Sequence, residues 1–138
     1  MNIEVFDYEA EAKLENLPKI IDFTIGSLKK LGVDDHSTFD IQLAVDEIST
    51  NIIKYAYKDE AGRIHVSCRR EGNVILFTIA DNGYPFDPTR VPPPDLEADL
   101  EHRKTGGLGI YLAKKVMDSV TYTINDGRNV LTMKKFIK

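Results

Sequence analysis

The sequence predicts an α+β protein, a two-layer sandwich with helices on one face of a mixed, mainly antiparallel sheet. Three observations lead there. Two helical periodicities near the start are followed by two β-rich segments joined at Glu71-Gly72-Asn73. A long proline-rich loop then gives way to a third, shorter helix, and an Asp126-Gly127 turn joins two closing strands. Helices that each carry one apolar stripe need a sheet face to cover it, and a sheet built this way keeps its other face partly solvated. The length of 138 residues suits one core, so residues 1–138 are read as a single domain.

Each element has its own signal. Residues 2–8 place Ile3 and Val5 in alternation with Glu4 before Phe6 and Tyr8 switch parity, as in a short, bulged strand. Asn16 is placed to cap a helix with Pro18 in its first turn; Leu17, Ile21, Ile25 and Leu28 form its stripe and Gly32 stops it. A second helix is expected from Ser37, paired with Asp40 in a capping box, to Tyr57. Its core stripe is Ile41, Val45, Ile48 and Ile52. Residues 63–70 and 74–80 read as a hairpin. Residues 81–105 hold five of the six prolines and no periodicity, which marks a binding loop or lid. Ile110, Leu112, Ala113, Val116 and Met117 make the third helix, and residues 121–125 and 129–137 the last two strands.

Composition narrows the function. With 42% hydrophobic and 29% charged residues, neither disorder nor a fibrous repeat is expected. The 18 basic and 22 acidic residues give a net charge of −4, the wrong sign for direct nucleic-acid binding through phosphate neutralisation. Cys68 has no cysteine to pair with, the first residues lack the regions of a signal peptide, and no apolar run approaches the ~20 residues of a membrane span. A cytoplasmic protein that does not enter membranes is therefore expected.

Three short motifs carry chemistry. Glu47 and Asn51 lie one helical turn apart on one side. The carboxylate can take a proton, and the amide oxygen can fill one position on Mg2+ while water and phosphate oxygens fill the rest. The pair suits phosphoryl chemistry, although the spacing alone is also that of a solvated helix face. Asp81-Asn82-Gly83 ends a strand at a sharp turn. A buried acid there accepts a hydrogen bond from the exocyclic amine of adenine and repels the carbonyl of guanine; the same residues also make an ordinary Asx turn. Gly106-Gly107-Leu108-Gly109 ahead of a helix offers backbone amides to phosphates, with Arg103 and Lys104 in reach of terminal phosphates. The dinucleotide fingerprint, the P-loop, the eukaryotic-type kinase motifs and a zinc site are all missing.

In order, Glu47-x-x-x-Asn51, then Asp81-Asn82-Gly83 with Phe86-Asp87-Pro88, then Gly106-Gly107-Leu108-Gly109-Ile110, resemble the nucleotide boxes of the gyrase, Hsp90, histidine kinase and MutL (GHKL) ATPase superfamily. Within it, AVDEISTNIIKYAY, DNGYPFDP, GGLGIYLAKKVMD and the closing GRNVLTMKK are similar to the bacterial anti-sigma factor serine-protein kinases, over nearly the whole chain. The resemblance implies the Bergerat-type ATP-binding fold, with an ATP lid at about residues 84–107. It implies Glu47 as general base, Asn51 as Mg2+ ligand, Asp81 as adenine-reading acid and Gly83 as the turn that admits the base. Gly106, Gly107, Leu108, Gly109 and Ile110 match the phosphate loop, with Phe86, Arg103 and Thr105 as further ATP contacts and Thr132 as a hydroxyl beside the adenine acid. Lys54 resembles a phosphate-touching basic residue of sensor histidine kinases, whose separate phosphoacceptor helix has no room here. Tyr55, where many relatives carry histidine, and Pro85, where larger members carry a small residue, depart from the pattern.

The function implied is an ATP-dependent protein-serine kinase and anti-sigma factor. It would phosphorylate a small anti-sigma antagonist and sequester a sigma factor, as a homodimer using ATP and Mg2+. An ATP-gated regulatory binding module without phosphotransfer is the alternative.

Overall fold

A computed structural model of the chain describes residues 4–55, 62–83 and 107–137. In chain order these are strand β1 (Val5–Glu11), a single 3-10 turn (Leu14–Asn16), helices α1 (Leu17–Lys30) and α2 (Asp35–Tyr55), strands β2 (Arg63–Glu71) and β3 (Val74–Asp81), helix α3 (Gly107–Val116), and strands β4 (Ser119–Asn125) and β5 (Arg128–Phe136). The strands form one sheet in the order β1-β2-β3-β5-β4. Among the described residues every pairing is antiparallel, where the sequence suggests a mixed, mainly antiparallel sheet. None of the described helices is long and apolar enough to cross a membrane.

The core lies between the helices and one face of the sheet. Ile64, Val66, Cys68, Ile75, Phe77, Ile79, Leu131 and Met133 come from the strands; Ile20, Leu28, Ile41, Val45, Ile48, Ile52, Ala113 and Met117 come from the helices. The predicted stripe of α2 is buried throughout. The outer face is more polar, with Asp7, Ser67, Thr78, Thr132 and Thr121 in register across all five strands. Cys68 is buried among apolar neighbours, which pushes its thiol up to about 12 and keeps it from acting as a nucleophile at neutral pH.

Helix ends follow local hydrogen bonding. Gly32, with φ of 75°, closes α1 in a Schellman motif: its N–H donates to the Lys29 carbonyl and that of Val33 to the Leu28 carbonyl. Asn16 precedes α1 without capping it, because its Nδ2 donates instead to the Glu11 carbonyl at 3.0 Å. The buried stripe of α1 is Ile20, Thr24, Ser27 and Leu28, rotated from the expected one, and Ile25 is exposed. At α2 the cap is Asp34, whose Oδ2 accepts from the Ser37 N–H at 3.0 Å. Hydrogen bonds from Ser37 hold the Asp34 carboxyl below its ordinary range. The helix thus starts two residues before the expected Ser37. β1 likewise extends to Glu11 and turns Phe6, Tyr8 and Ala10 inward, leaving Val5 exposed; Tyr8 stacks on Phe23 of α1 at 5.8 Å between ring centroids. Between β4 and β5, Asp126 and Gly127 both have positive φ, 52° and 75°, as a tight I′ hairpin requires.

Two core substitutions test this packing. Phe77→Ala, at a fully buried position, is expected to cost about 3–5 kcal/mol in urea unfolding. The buried Ser49 hydroxyl of α2 has no hydrogen-bond partner among the described residues. Ser49→Ala is therefore expected to leave stability unchanged or raise it by up to ~1 kcal/mol, since it removes an uncompensated desolvation cost. A clear drop in the urea midpoint of this variant would show that the hydroxyl is satisfied.

Candidate functional site

The two ends of the sandwich are built differently. At one end, Arg70 Nη1 donates to the Leu31 carbonyl between α1 and α2 and its Nε to the Gly72 carbonyl, both at 2.7 Å. At the same end, Lys135 Nζ donates to Asp40 Oδ2 of α2 at 3.0 Å and to the Val116 carbonyl at the close of α3 at 2.6 Å. Arg70 and Lys135 both pair in the sheet with Ile75, so they mark one end of the strands. At the opposite end β3 stops at Asp81, beside Ile64 of β2 and Asn129 of β5.

Helix and strand lengths then place these site residues toward one end of the sandwich. From Asp40 to Asn51 α2 advances roughly 16 Å, and six residues of strand from Lys135 to Asn129 advance roughly 20 Å. The last residue of α2, Tyr55, is also only eight positions from Arg63, where β2 starts at the Asp81 end. Glu47 and Asn51 consequently lie toward the Asp81 end. Helix α3 packs against α2. With its C-terminus tied to Lys135, it runs back along α2 and sets Gly107 about 14 Å away, toward that same end. The helix starts at Gly107, earlier than the loop reading implied, so the backbone N–H groups of Gly107, Leu108 and Gly109 lie in its first turn and have no intrahelical acceptors.

The buried Asp81 faces the helices from the end of β3. Its Oδ1 accepts from the Gly83 N–H at 2.9 Å and from Asn129 Nδ2 at 3.0 Å. Asn129 Nδ2 also donates to the Gly83 carbonyl at 3.1 Å, and the Tyr122 hydroxyl donates to Asn129 Oδ1. Asn82 is held from outside, its Oδ1 accepting from the Arg63 N–H at 3.3 Å. Gly83 is thereby fixed through both its N–H and its carbonyl.

Asn51, also buried, donates Nδ2 to the Glu47 carbonyl one turn back at 2.8 Å. That bond orients the amide and turns its oxygen away from the helix backbone. Glu47 is half-buried, and its carboxyl is raised above the ordinary carboxylate range, first by burial and then by neighbouring Asp46, with Lys54 opposing. Lys54 itself is exposed on the last turn of α2. A hard amide oxygen oriented by its own helix fits one ligand position of Mg2+. The described residues contain no group of three or more His, Cys, Asp or Glu that would make a full protein cage. Asn51 would hold the ion together with phosphate oxygens and water.

Thr132 is not beside Asp81. It pairs with Thr78, three positions from the Asp81 and Asn129 pair, and an odd step along a pleated strand reverses the face. Asn129 stands where the hydroxyl was expected. A cue was present in the sequence, because Asn129 shares parity with the apolar Leu131 and Met133 and so belongs to the buried side. Phe86, Arg103, Thr105, Gly106 and the lid before Gly107 lie outside the described residues.

Residues 10–135 match the histidine kinase-like ATPase domain family. The chain belongs to this family. It is 31% identical over 139 aligned residues to the serine-protein kinase RsbW of Bacillus cereus strain AH820 and to that of Bacillus anthracis, covering 98% of this chain and 86% of each relative. Its membership of the histidine kinase-like ATPases thus extends to the RsbW serine-protein kinases. The fold matches the crystal structure of the RsbU and RsbW domains of Rv1364c from Mycobacterium tuberculosis with a TM-score of 0.66 at 12% identity. That match covers 96% of this chain and 32% of the longer one.

In a histidine kinase-like ATPase the Asp81 corner should govern nucleotide affinity. ATP with Mg2+ at about 100 times its dissociation constant is expected to stabilise the wild-type chain by about 2.7 kcal/mol in thermal unfolding. Asp81→Asn, which keeps one oxygen to accept from Gly83 and Asn129 but replaces the second carboxylate oxygen with an NH2 donor that would oppose an adenine amine, is expected to lose most of that gain. An undiminished gain in the variant rules out Asp81 as the nucleobase contact.

Proposed function

We propose that this chain is an ATP-dependent serine-protein kinase and anti-sigma factor that phosphorylates a small antagonist protein and sequesters a sigma factor. The observation that carries the reading is the Glu47 and Asn51 pair on α2, a carboxylate made more basic by burial beside an amide oriented by its own helix. The relationship to the serine-protein kinases RsbW supports the choice of a serine hydroxyl as acceptor. A cytoplasmic homodimer is part of the same proposal.

In the reaction, Asp81 and Gly83 hold the adenine, and the first-turn amides of α3 draw the phosphates toward the end of α2. Asn51 would hold Mg2+, which when bound would supply charge neutralisation for the phosphates. Glu47 takes the proton as the partner's serine oxygen bonds to the γ-phosphorus and the bond from that phosphorus to the ADP oxygen breaks. Positioning and electrostatics supply most of the rate in such transfers, which is why a carboxylate and an amide fixed on one rigid helix suffice. Glu47 must be unprotonated to act, and its carboxyl is raised, so transfer should fail on acidification at a higher pH than an ordinary carboxylate would give.

Glu47→Ala is expected to abolish transfer while ATP still binds. Intact-mass measurement of the antagonist after incubation with MgATP reads the first effect as the gain or absence of one phosphoryl group; titration calorimetry reads the second. Full transfer by the variant overturns the assigned base. ATP binding without any transfer by the wild type leaves an ATP-gated binding module in place of the kinase.

A further inference from the structure

Asn129 has every polar atom engaged: Nδ2 donates to Asp81 Oδ1 and to the Gly83 carbonyl, and Oδ1 accepts from Tyr122. The amide has only one workable orientation. Turned over, its oxygen would meet two acceptors, an unfavourable contact at a buried residue. Tyr122 reaches Asn129 from edge strand β4, where it pairs with Leu131 and so stands diagonal to Asn129 on the same face. Its hydroxyl keeps the amide oxygen satisfied and the side chain in place. We propose that Tyr122 and Asn129 are positioning residues for nucleobase specificity. Through Oδ1 they fix the rotation of the Asp81 carboxylate, so that Asp81 presents a set acceptor edge to a purine 6-amino group and opposes a 6-carbonyl oxygen.

The proposal rests on the nucleotide site described above and adds the element that makes it selective. A carboxylate free to rotate can retreat from a carbonyl oxygen, which weakens the penalty against inosine or guanine. One pinned by Asn129 and the Gly83 N–H cannot. The pinning also holds Gly83, whose carbonyl Asn129 clamps, so the turn at the base and the acid that reads it move together.

The test uses the full chain with Y122F and N129A, measuring dissociation constants for ATP and for inosine triphosphate, which differ at the 6-position of the purine. Loss of one hydrogen bond corresponds to about a three- to tenfold change in affinity. Y122F is expected to lower the ratio of ATP to inosine triphosphate affinity by that amount, and N129A by more, mainly through weaker ATP binding. Y122F removes only one hydroxyl from a half-buried edge-strand residue, so it decides the matter even if N129A fails to fold. Equal weakening of both nucleotides, or no change in either, overturns the proposal and leaves the pair a structural role. If the wild type binds neither nucleotide, the nucleotide-site reading fails and takes the proposal with it.

Discussion

Apolar contact between α2 and the inner face of the sheet governs the geometry of this molecule. Ile41, Val45, Ile48 and Ile52 share one continuous core with Ile64, Val66, Phe77 and Ile79. Burying each such side chain stabilises by roughly 1.5–3 kcal/mol, whereas a typical hydrogen bond nets about 1 kcal/mol. The stripe therefore decides how α2 is rotated, and the polar contacts adjust within that constraint. Since side chains one turn apart share a side, the same rotation that buries the isoleucines presents Glu47 and Asn51 together at the flank.

Polar anchoring is concentrated at the two ends. Arg70 and Lys135 gather the α1–α2 connection, the start of α2 and the close of α3 at one end. At the other, Asp81, Asn129, Tyr122 and Gly83 form a small hydrogen-bonded group. Buried groups of this kind rigidify when each donor and acceptor is matched and are costly when one is missing. A rigid far end keeps the helices aligned, and a rigid near end keeps the acid and the glycine in place. Both serve a chemistry that depends more on fixed positions than on reactive side chains.

The family relationship and the geometry bear on different levels. Similarity to the RsbW kinases establishes the kind of domain. The raised Glu47 carboxyl, the oriented Asn51 amide and the Asn129 clamp are properties of these particular residues in this packing. The buried Asn129 and Tyr122 are the polar partners that hold Asp81 and Gly83 in this member of the family.

Much of this was legible in the amino-acid order. The α2 stripe, the hairpin turns at Gly72 and Gly127, the two-layer class and the positions of Glu47, Asn51 and Asp81 follow from periodicity and turn chemistry, which act over a few residues. Local competition misled in smaller ways: Asn16 bonded back to Glu11 instead of capping, Asp34 took the cap expected of Ser37, and α1 turned Thr24 inward and Ile25 outward. The partner of Asp81 was of another kind. Whether Asn129 or Thr132 stands beside that acid depends on the register between β3 and β5, and more than forty residues separate those strands. Parity within β5 marks Asn129 as inward, but only the register between the strands sets it opposite Asp81. Short-range chemistry determined the elements and the acidic and amide groups they carry; only the packed sheet, through long-range register, decided which residue holds Asp81 in place.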